Sequence, residues 1–256
     1  MIVNSIKNAA YQTLDIITFG KGVKRIIGGE SIRFPAKFSR YYEADYEPET
    51  FEFFRRNIKK GMTVLDIGGH MGLFAVVLGR LVGSKGKVFT FEPTPFTQKV
   101  LSEVVRLNDL EKQVEVRCEA VSKEKGEAIF YDTGTEVSNA NSLVKSERGK
   151  GEIKVPMTSV DDFVSNNNLR VDCLKIDVEG VELDLLKGAK DTFMNQRPMA
   201  RLGLHPPFII DNGQTLEEIW DILEEYKMQV IFEGKECEKV WFCKQPALFD
   251  VNVLPR

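Results

Sequence analysis

Short apolar runs alternate with amphipathic stretches along most of the chain, and the runs share a common ending. Residues 63–67 form such a run and include Asp66; the glycines Gly68, Gly69 and Gly72 follow, and an apolar helical pattern begins at about residue 71. That order predicts strand, tight turn and helix N-terminus. Residues 87–92 repeat the scheme and finish on Glu92, after which Pro93 and Pro95 stop the strand and open a helix to about residue 107. A third strand is expected over 113–118, with Glu119 and Ala120 in its exit loop. A fourth covers 171–177 and ends on Asp177, and a fifth covers 201–205 and ends on His205. Strand and helix alternating in this way imply right-handed crossovers and a parallel sheet.

The flanks are less regular. Ile2, Ile6, Ala9, Ala10, Leu14 and Ile17 fall on one helical face, followed by the basic residues Lys21, Lys24 and Arg25. A packed helix is the expectation, with a membrane-surface or homo-oligomer contact as the alternative, and residues 33–45 look irregular. Residues 1–45 are therefore read as an N-terminal helical extension and 46–256 as one domain, whose first helix starts near Pro48. Between 126 and 157 the rhythm breaks: strand pieces at 128–131 and 153–157 flank a polar loop with Asn139, Asn141 and Ser142. This is read as an inserted hairpin or lid near the ligand face. Residues 215–226 predict an amphipathic helix, and 228–232 and 239–243 the last two strands, paired antiparallel.

Composition narrows the class. The 256 residues carry a formal charge of -3, with 43% hydrophobic and 29% charged positions, ordinary for a soluble globular domain. Lysine and arginine are spread along the chain, which argues against nucleic acid as a partner. Cys118, Cys173, Cys237 and Cys243 form no CxxC pair and read as small buried residues in a reducing compartment. No apolar stretch reaches the roughly 20 residues of a membrane span, and no signal-peptide pattern opens the chain. A cytoplasmic protein is expected.

Parallel sheets bind ligands beyond the carboxyl ends of their strands, where Asp66, Glu92, Asp177 and His205 are expected. The glycine turn offers a sharp bend and close backbone approach, and the helix start offers free N–H groups. An acid at Glu92, ending the next strand, suits both hydroxyls of an adenosine ribose. Asp66 stands where a dinucleotide would place its pyrophosphate, and a carboxylate there repels phosphate. It suits a ligand with a sulfonium or ammonium group, which favours S-adenosylmethionine over NAD. Asp177 and His205 are the candidate general bases for a hydroxyl acceptor, His205 because its ordinary pKa is near 6.5. Asp177 and Glu179 could together offer oxygen ligands to magnesium, but two ligands are few for an octahedral ion, and no metal is expected.

Three motifs occur in order: residues 64–72 (VLDIGGHMG), 91–95 (FEPTP) and 174–182 (LKIDVEGVE). With residues 47–50 and 186–189 they closely resemble the FkbM family of S-adenosylmethionine-dependent methyltransferases, over about 42–205. The resemblance implies a Rossmann-like α/β fold with a seven-stranded sheet, mostly parallel with the last strand antiparallel, and helices on both faces. It also implies O-methylation of a sugar or glycan hydroxyl. Asp66, Gly68 and Gly72 would hold the methionine portion and Glu92 the ribose, with Glu119 and Ala120 near the adenine; Gly69, Pro93 and Asp177 complete the expected cofactor contacts. Asn139, Asn141, Ser142, Glu179 and His205 would face the acceptor. His70 stands where family members usually carry Asn; it can still donate to the methionine carboxylate, but the position becomes titratable. Two rivals remain, an NAD-dependent oxidoreductase on a similar sheet and a non-catalytic protein that binds an adenosine ligand. Asp66 before the glycines and the lack of a catalytic Tyr–Lys pair count against the first, and loss of turnover on changing His205 separates the second.

Overall fold

The computed structural model describes Tyr11, Ile17, Thr18, residues 20–132 and residues 151–256. Its strands are β1 (Val23–Ile27), β2 (Glu30–Phe34), β3 (Thr63–Ile67), β4 (Lys87–Phe91), β5 (Val114–Arg117), β6 (Ala120–Val121), β7 (Gly126–Asp132) and β8 (Gly151–Thr158). They continue as β9 (Cys173–Ile176), β10 (Met199–Leu204), β11 (Met228–Phe232), β12 (Lys235–Glu236) and β13 (Phe249–Pro255). The main sheet has the order β12-β11-β13-β10-β9-β3-β4-β5. From β5 through β4, β3 and β9 to β10 the pairs are parallel. β13 inserts antiparallel between β10 and β11. The strand order reverses direction between β3 and β9, the position where such sheets open a ligand crevice.

The helices are α1 (Pro48–Asn57), α2 (Leu73–Val82), α3 (Pro95–Leu107), α4 (Val160–Asn166), α5 (Glu182–Lys187), α6 (Pro206–Asp211), α7 (Leu216–Glu225) and α8 (Lys239–Phe242). Side chains alternate across each strand, so the two faces of the sheet feed separate cores. Val64, Val88 and Cys173 join α1, α2 and α3 in one core; Leu65, Phe89 and Leu174 join α4, α5 and α7 in the other. Burial on both faces explains the near-continuous apolar runs of the central strands.

Three expectations need correction. The main sheet has eight strands rather than seven, the extra one being the two-residue β12. Residues 239–242 are helical instead of a strand; a helical turn sends Trp241 and Phe242 inward, 5.8 Å and 5.4 Å from the Phe249 ring, and leaves Val240 exposed. The last strand is β13, whose Phe249, Val251 and Val253 are buried in alternation. Finally, residues 23–34, which the pattern left partly helical and partly irregular, form the β1–β2 hairpin, turning at Gly28 and Gly29 with φ of 53° and 80°. The helical face carried by Ile2, Ile6, Ala9, Ala10 and Leu14 lies outside the described residues.

β7 and β8 pair antiparallel, and β6 joins β8 to complete a second, three-stranded sheet. Pro206 and Pro207 do more than close β10. They occupy the first turn of α6, where their missing N–H groups cost nothing.

Candidate active site

One row of polar side chains crosses the sheet. Strand register sets Thr90 beside Asp66, Asp66 beside Lys175, Lys175 beside Arg201, and Arg201 beside Asn252. The first four are buried. Thr90 Oγ1 donates to Asp66 Oδ2 at 2.8 Å, and Lys175 Nζ stands 4.0 Å from Asp66 Oδ1. Lys175 also donates to Asp177 Oδ2 at 3.1 Å and to the Gly68 carbonyl at 3.4 Å. Burial opposes charge on Lys175, but the carboxylates of Asp177, Asp66 and Glu47 outweigh it and hold its pKa above the ordinary value. Burial raises the Asp66 pKa, with Lys175 and the Thr90 hydroxyl pulling the other way.

Above this row, at the carboxyl ends of β3, β4, β9 and β10, opens a cavity of about 440 Å³. Of the predicted residues, Gly68, Gly69, His70, Glu92, Pro93, Glu119, Ala120, Asp177, Glu179 and His205 line it. Asp66 and Gly72 do not: Asp66 is fully buried beneath the turn, and a Cβ on Gly72 would meet Leu101 of α3. Asn139, Asn141 and Ser142 lie outside the described residues.

The glycines serve the protein's own packing. A Cβ on Gly68, whose φ is +84°, would fall 1.9 Å from the Asp177 carbonyl oxygen, and one on Gly69 would fall 2.1 Å from Thr90 Oγ1. Both glycines therefore let the turn settle onto β9 and β4. His70 follows with φ of 46° and holds the Tyr42 hydroxyl 2.9 Å from its Nδ1. Burial pushes its pKa down to about 4, so the ring is neutral at physiological pH. Its Nε2 is buried with no hydrogen-bond partner.

Glu92 is buried, and its Oε1 accepts the Thr94 N–H at 2.9 Å. Burial pushes its pKa up to about 7. Glu119 is clasped by Arg117 through two hydrogen bonds of 2.8 and 3.0 Å. Across the cavity, His205 Nδ1 lies 2.7 Å from Glu182 Oε1, while Nε2 lies 3.6 Å from Asp177 Oδ1 and 4.0 Å from Glu179 Oε1. Burial works against the imidazolium, yet Glu182, Asp177 and Glu179 together raise the His205 pKa to about 9. The pKa of Asp177 moves the other way. Burial opposes its charge, but Lys175 and His205 prevail and hold it below the usual carboxylate range.

Sequence reasoning missed Glu182 behind His205, and Tyr42, Tyr46, Glu47, Lys175 and Asp250 on the cavity wall. Two of these left a signal. Lys175 precedes Asp177 by two residues at the end of β9, and Asp250 precedes Asn252 by two within β13, so each pair shares a face. Tyr42, Tyr46 and Glu47 come from the connection before α1, which has no periodicity to read. Of the four cysteines expected to be buried, Cys173 is; Cys237 and Cys243 are half-buried, and Cys118 is exposed. Among the described residues no cluster of three or more His, Cys, Asp or Glu side chains is arranged for a metal ion, and no helix is long and apolar enough to cross a membrane.

Sheet order, switch point and cavity define a Rossmann-like methyltransferase fold. A Clostridium thermocellum protein described as a candidate rRNA methylase superposes with a TM-score of 0.50 at 12% identity, over 80% of this chain and 93% of the other. The methyltransferase FkbM domain profile matches residues 66–230, and the chain belongs to that family. Methyltransferase 1 of Beauveria bassiana is 25% identical over 146 residues, covering 50% of this chain and 58% of that protein. Methyltransferase sdnD of Sordaria araneosa is 28% identical over 166 residues, covering 53% and 63%. The match thus spans less than two thirds of either relative.

Proposed function

We propose that the chain transfers the methyl group of S-adenosylmethionine to a hydroxyl of a saccharide-containing acceptor. The observation that carries this is Glu92, a buried carboxylate at the cavity wall on the strand next to the glycine turn. The residues fit such a donor. Glu92 can accept both ribose hydroxyls, and the orphaned Nε2 of His70 supplies a polar atom for the methionine carboxylate. Glu119 and Ala120 flank the adenine end, and Asp177 presents a negative charge towards the sulfonium side.

When bound, S-adenosylmethionine would supply an electrophilic methyl carbon, its sulfur keeping the C–S electron pair as the acceptor oxygen's lone pair takes the methyl group. The acceptor proton must leave as this happens. His205 receives it at Nε2, the nitrogen facing the cavity, while Glu182 fixes the ring through Nδ1. At neutral pH the imidazolium dominates, because the His205 pKa is raised to about 9, and the free base grows as the pH rises towards that value. Asp177 and Glu179 orient the acceptor. The lack of any disulfide among the four cysteines supports action in the cytoplasm.

The test is transfer of a labelled methyl group from S-adenosylmethionine to a panel of methyl glycosides, with NAD titrated in parallel. Labelled ether products and no heat with NAD are expected. Binding of NAD alone would overturn the reading in favour of an oxidoreductase.

A further inference from the structure

Asp177 and Asp250 stand on either side of Gly203, which faces Asp250 in the β10–β13 register. Each carboxylate has one oxygen held by a cation of the buried row below. Lys175 Nζ holds Asp177 Oδ2 at 3.1 Å, and Arg201 Nη2 holds Asp250 Oδ2 at 3.0 Å. Arg201 is itself fixed by Thr50 Oγ1 at 3.1 Å and Asn252 Oδ1 at 3.0 Å. The other oxygens therefore turn inward. A Cβ on Gly203 would lie 3.0 Å from Asp250 Oδ1 and 3.4 Å from Asp177 Oδ1. Gly203 has no positive φ, so its backbone does not demand glycine. What the missing side chain leaves is a gap between the carboxylate oxygens of Asp177 and Asp250, both of which line the same cavity.

We propose that Asp177, Gly203 and Asp250 form the clamp that recognises the methyl acceptor, taking a group rich in hydrogen-bond donors, either paired hydroxyls or an amine. This rests on the methyltransferase reading and adds its specificity. Ionised carboxylates only accept hydrogen bonds, and those they accept are of the stronger, charge-assisted kind. Lys175 and Arg201 are committed to the outer oxygens. His205 Nε2 stands 3.6 Å from the inward Asp177 Oδ1, and its ring is shared with Glu179 and Glu182. A phosphate or carboxylate entering the gap would meet like charge on both sides. Asp250 and Gly203 are thus specificity residues contributed by strands that none of the sequence motifs includes.

The experiment uses saturation-transfer NMR on the full chain saturated with S-adenosylhomocysteine, with methyl glucoside, glucosamine and glucose 6-phosphate as probes. Methyl glucoside or glucosamine should bind at least about tenfold more tightly than the phosphate, from the loss of charge-assisted hydrogen bonds and the added repulsion. Preference for glucosamine identifies an amine, and equal binding identifies hydroxyls. Asp250→Asn and Gly203→Ala should each remove the preference while S-adenosylhomocysteine affinity, measured by calorimetry, persists. The Gly203 variant guards against a folding defect in the Asp250 variant, because the nearest neighbours of its new Cβ are two carboxylate oxygens and one carbonyl oxygen at 3.0–3.5 Å. Unchanged probe binding in both variants, tighter phosphate binding, or no sugar binding at all would overturn the clamp. Failure of the wild-type chain to bind S-adenosylhomocysteine would instead sink the methyltransferase reading.

Discussion

Replacing Lys175 by Met will destabilise the protein by about 3–5 kcal/mol, the usual cost of leaving a buried charge without its partner. Lys175 is almost fully buried, and its ammonium serves Asp66 at 4.0 Å, Asp177 at 3.1 Å and the Gly68 carbonyl. Methionine keeps the length of the side chain and removes the charge. Asp66, wholly buried with Oδ1 lacking any hydrogen bond, would then retain only the Thr90 hydroxyl. Chemical denaturation reads the loss as a lower midpoint with an unchanged slope. The double variant Asp66→Asn, Lys175→Met should recover part of the loss, because the two positions share one interaction. A single variant within about 0.5 kcal/mol of wild type, the range of an ordinary surface change, would show that the row is not held by its charges.

His205→Ala will lower turnover about a hundredfold or more, the usual contribution of a positioned general base. The pH profile carries the sharper information. As the free-enzyme pKa of His205 is raised to about 9, kcat/KM should climb with pH and level off near that value. The rising limb disappears in His205→Ala. Glu182→Gln removes the largest of the charges that raise the imidazole, so the limb moves down towards the ordinary histidine value, with Asp177 and Glu179 still holding part of the rise. Glu182 meets the ring at Nδ1 and does not line the cavity, so its expected effect is exerted through His205. A merely structural role would lower the rate without moving the limb, and an unmoved limb in that variant would refute its assignment.

Much of the fold was legible because a doubly covered parallel sheet writes itself as apolar runs ending in polar residues. Residues 63–67, 87–92, 171–177 and 201–205 were readable for that reason, and so were Glu92, Asp177 and His205 at the ends of the last three. The C-terminal region was not. Asp250 and Asn252 interrupt β13 with polar side chains that pair with Arg201 across the sheet, and that pairing is invisible in one dimension. The apolar Val240, Trp241 and Phe242 imitate a strand, yet ring contacts with Phe249 and Trp220 decide for a helix. The glycine turn was placed correctly but for a partly different reason, since the Gly68 and Gly69 positions are closed by Asp177 and Thr90. The lift in the His205 pKa also escaped the sequence, because Glu182 reaches the ring only once α5 packs against the end of β10.

Isothermal titration with S-adenosylhomocysteine is the most direct measurement, made on the wild-type chain and on Glu92→Ala at about pH 6 and pH 8. Ribose hydroxyls donate to the ionised carboxylate, and burial sets the Glu92 pKa at about 7. Wild-type affinity should therefore be roughly tenfold weaker at the lower pH, one decade per unit below the pKa. In Glu92→Ala binding should weaken by about tenfold to a hundredfold at the higher pH, the loss of charge-assisted hydrogen bonds, and its pH dependence should vanish. Equal affinity in the two proteins, or a wild-type affinity that does not change between these pH values, would contradict a cofactor held by this acid.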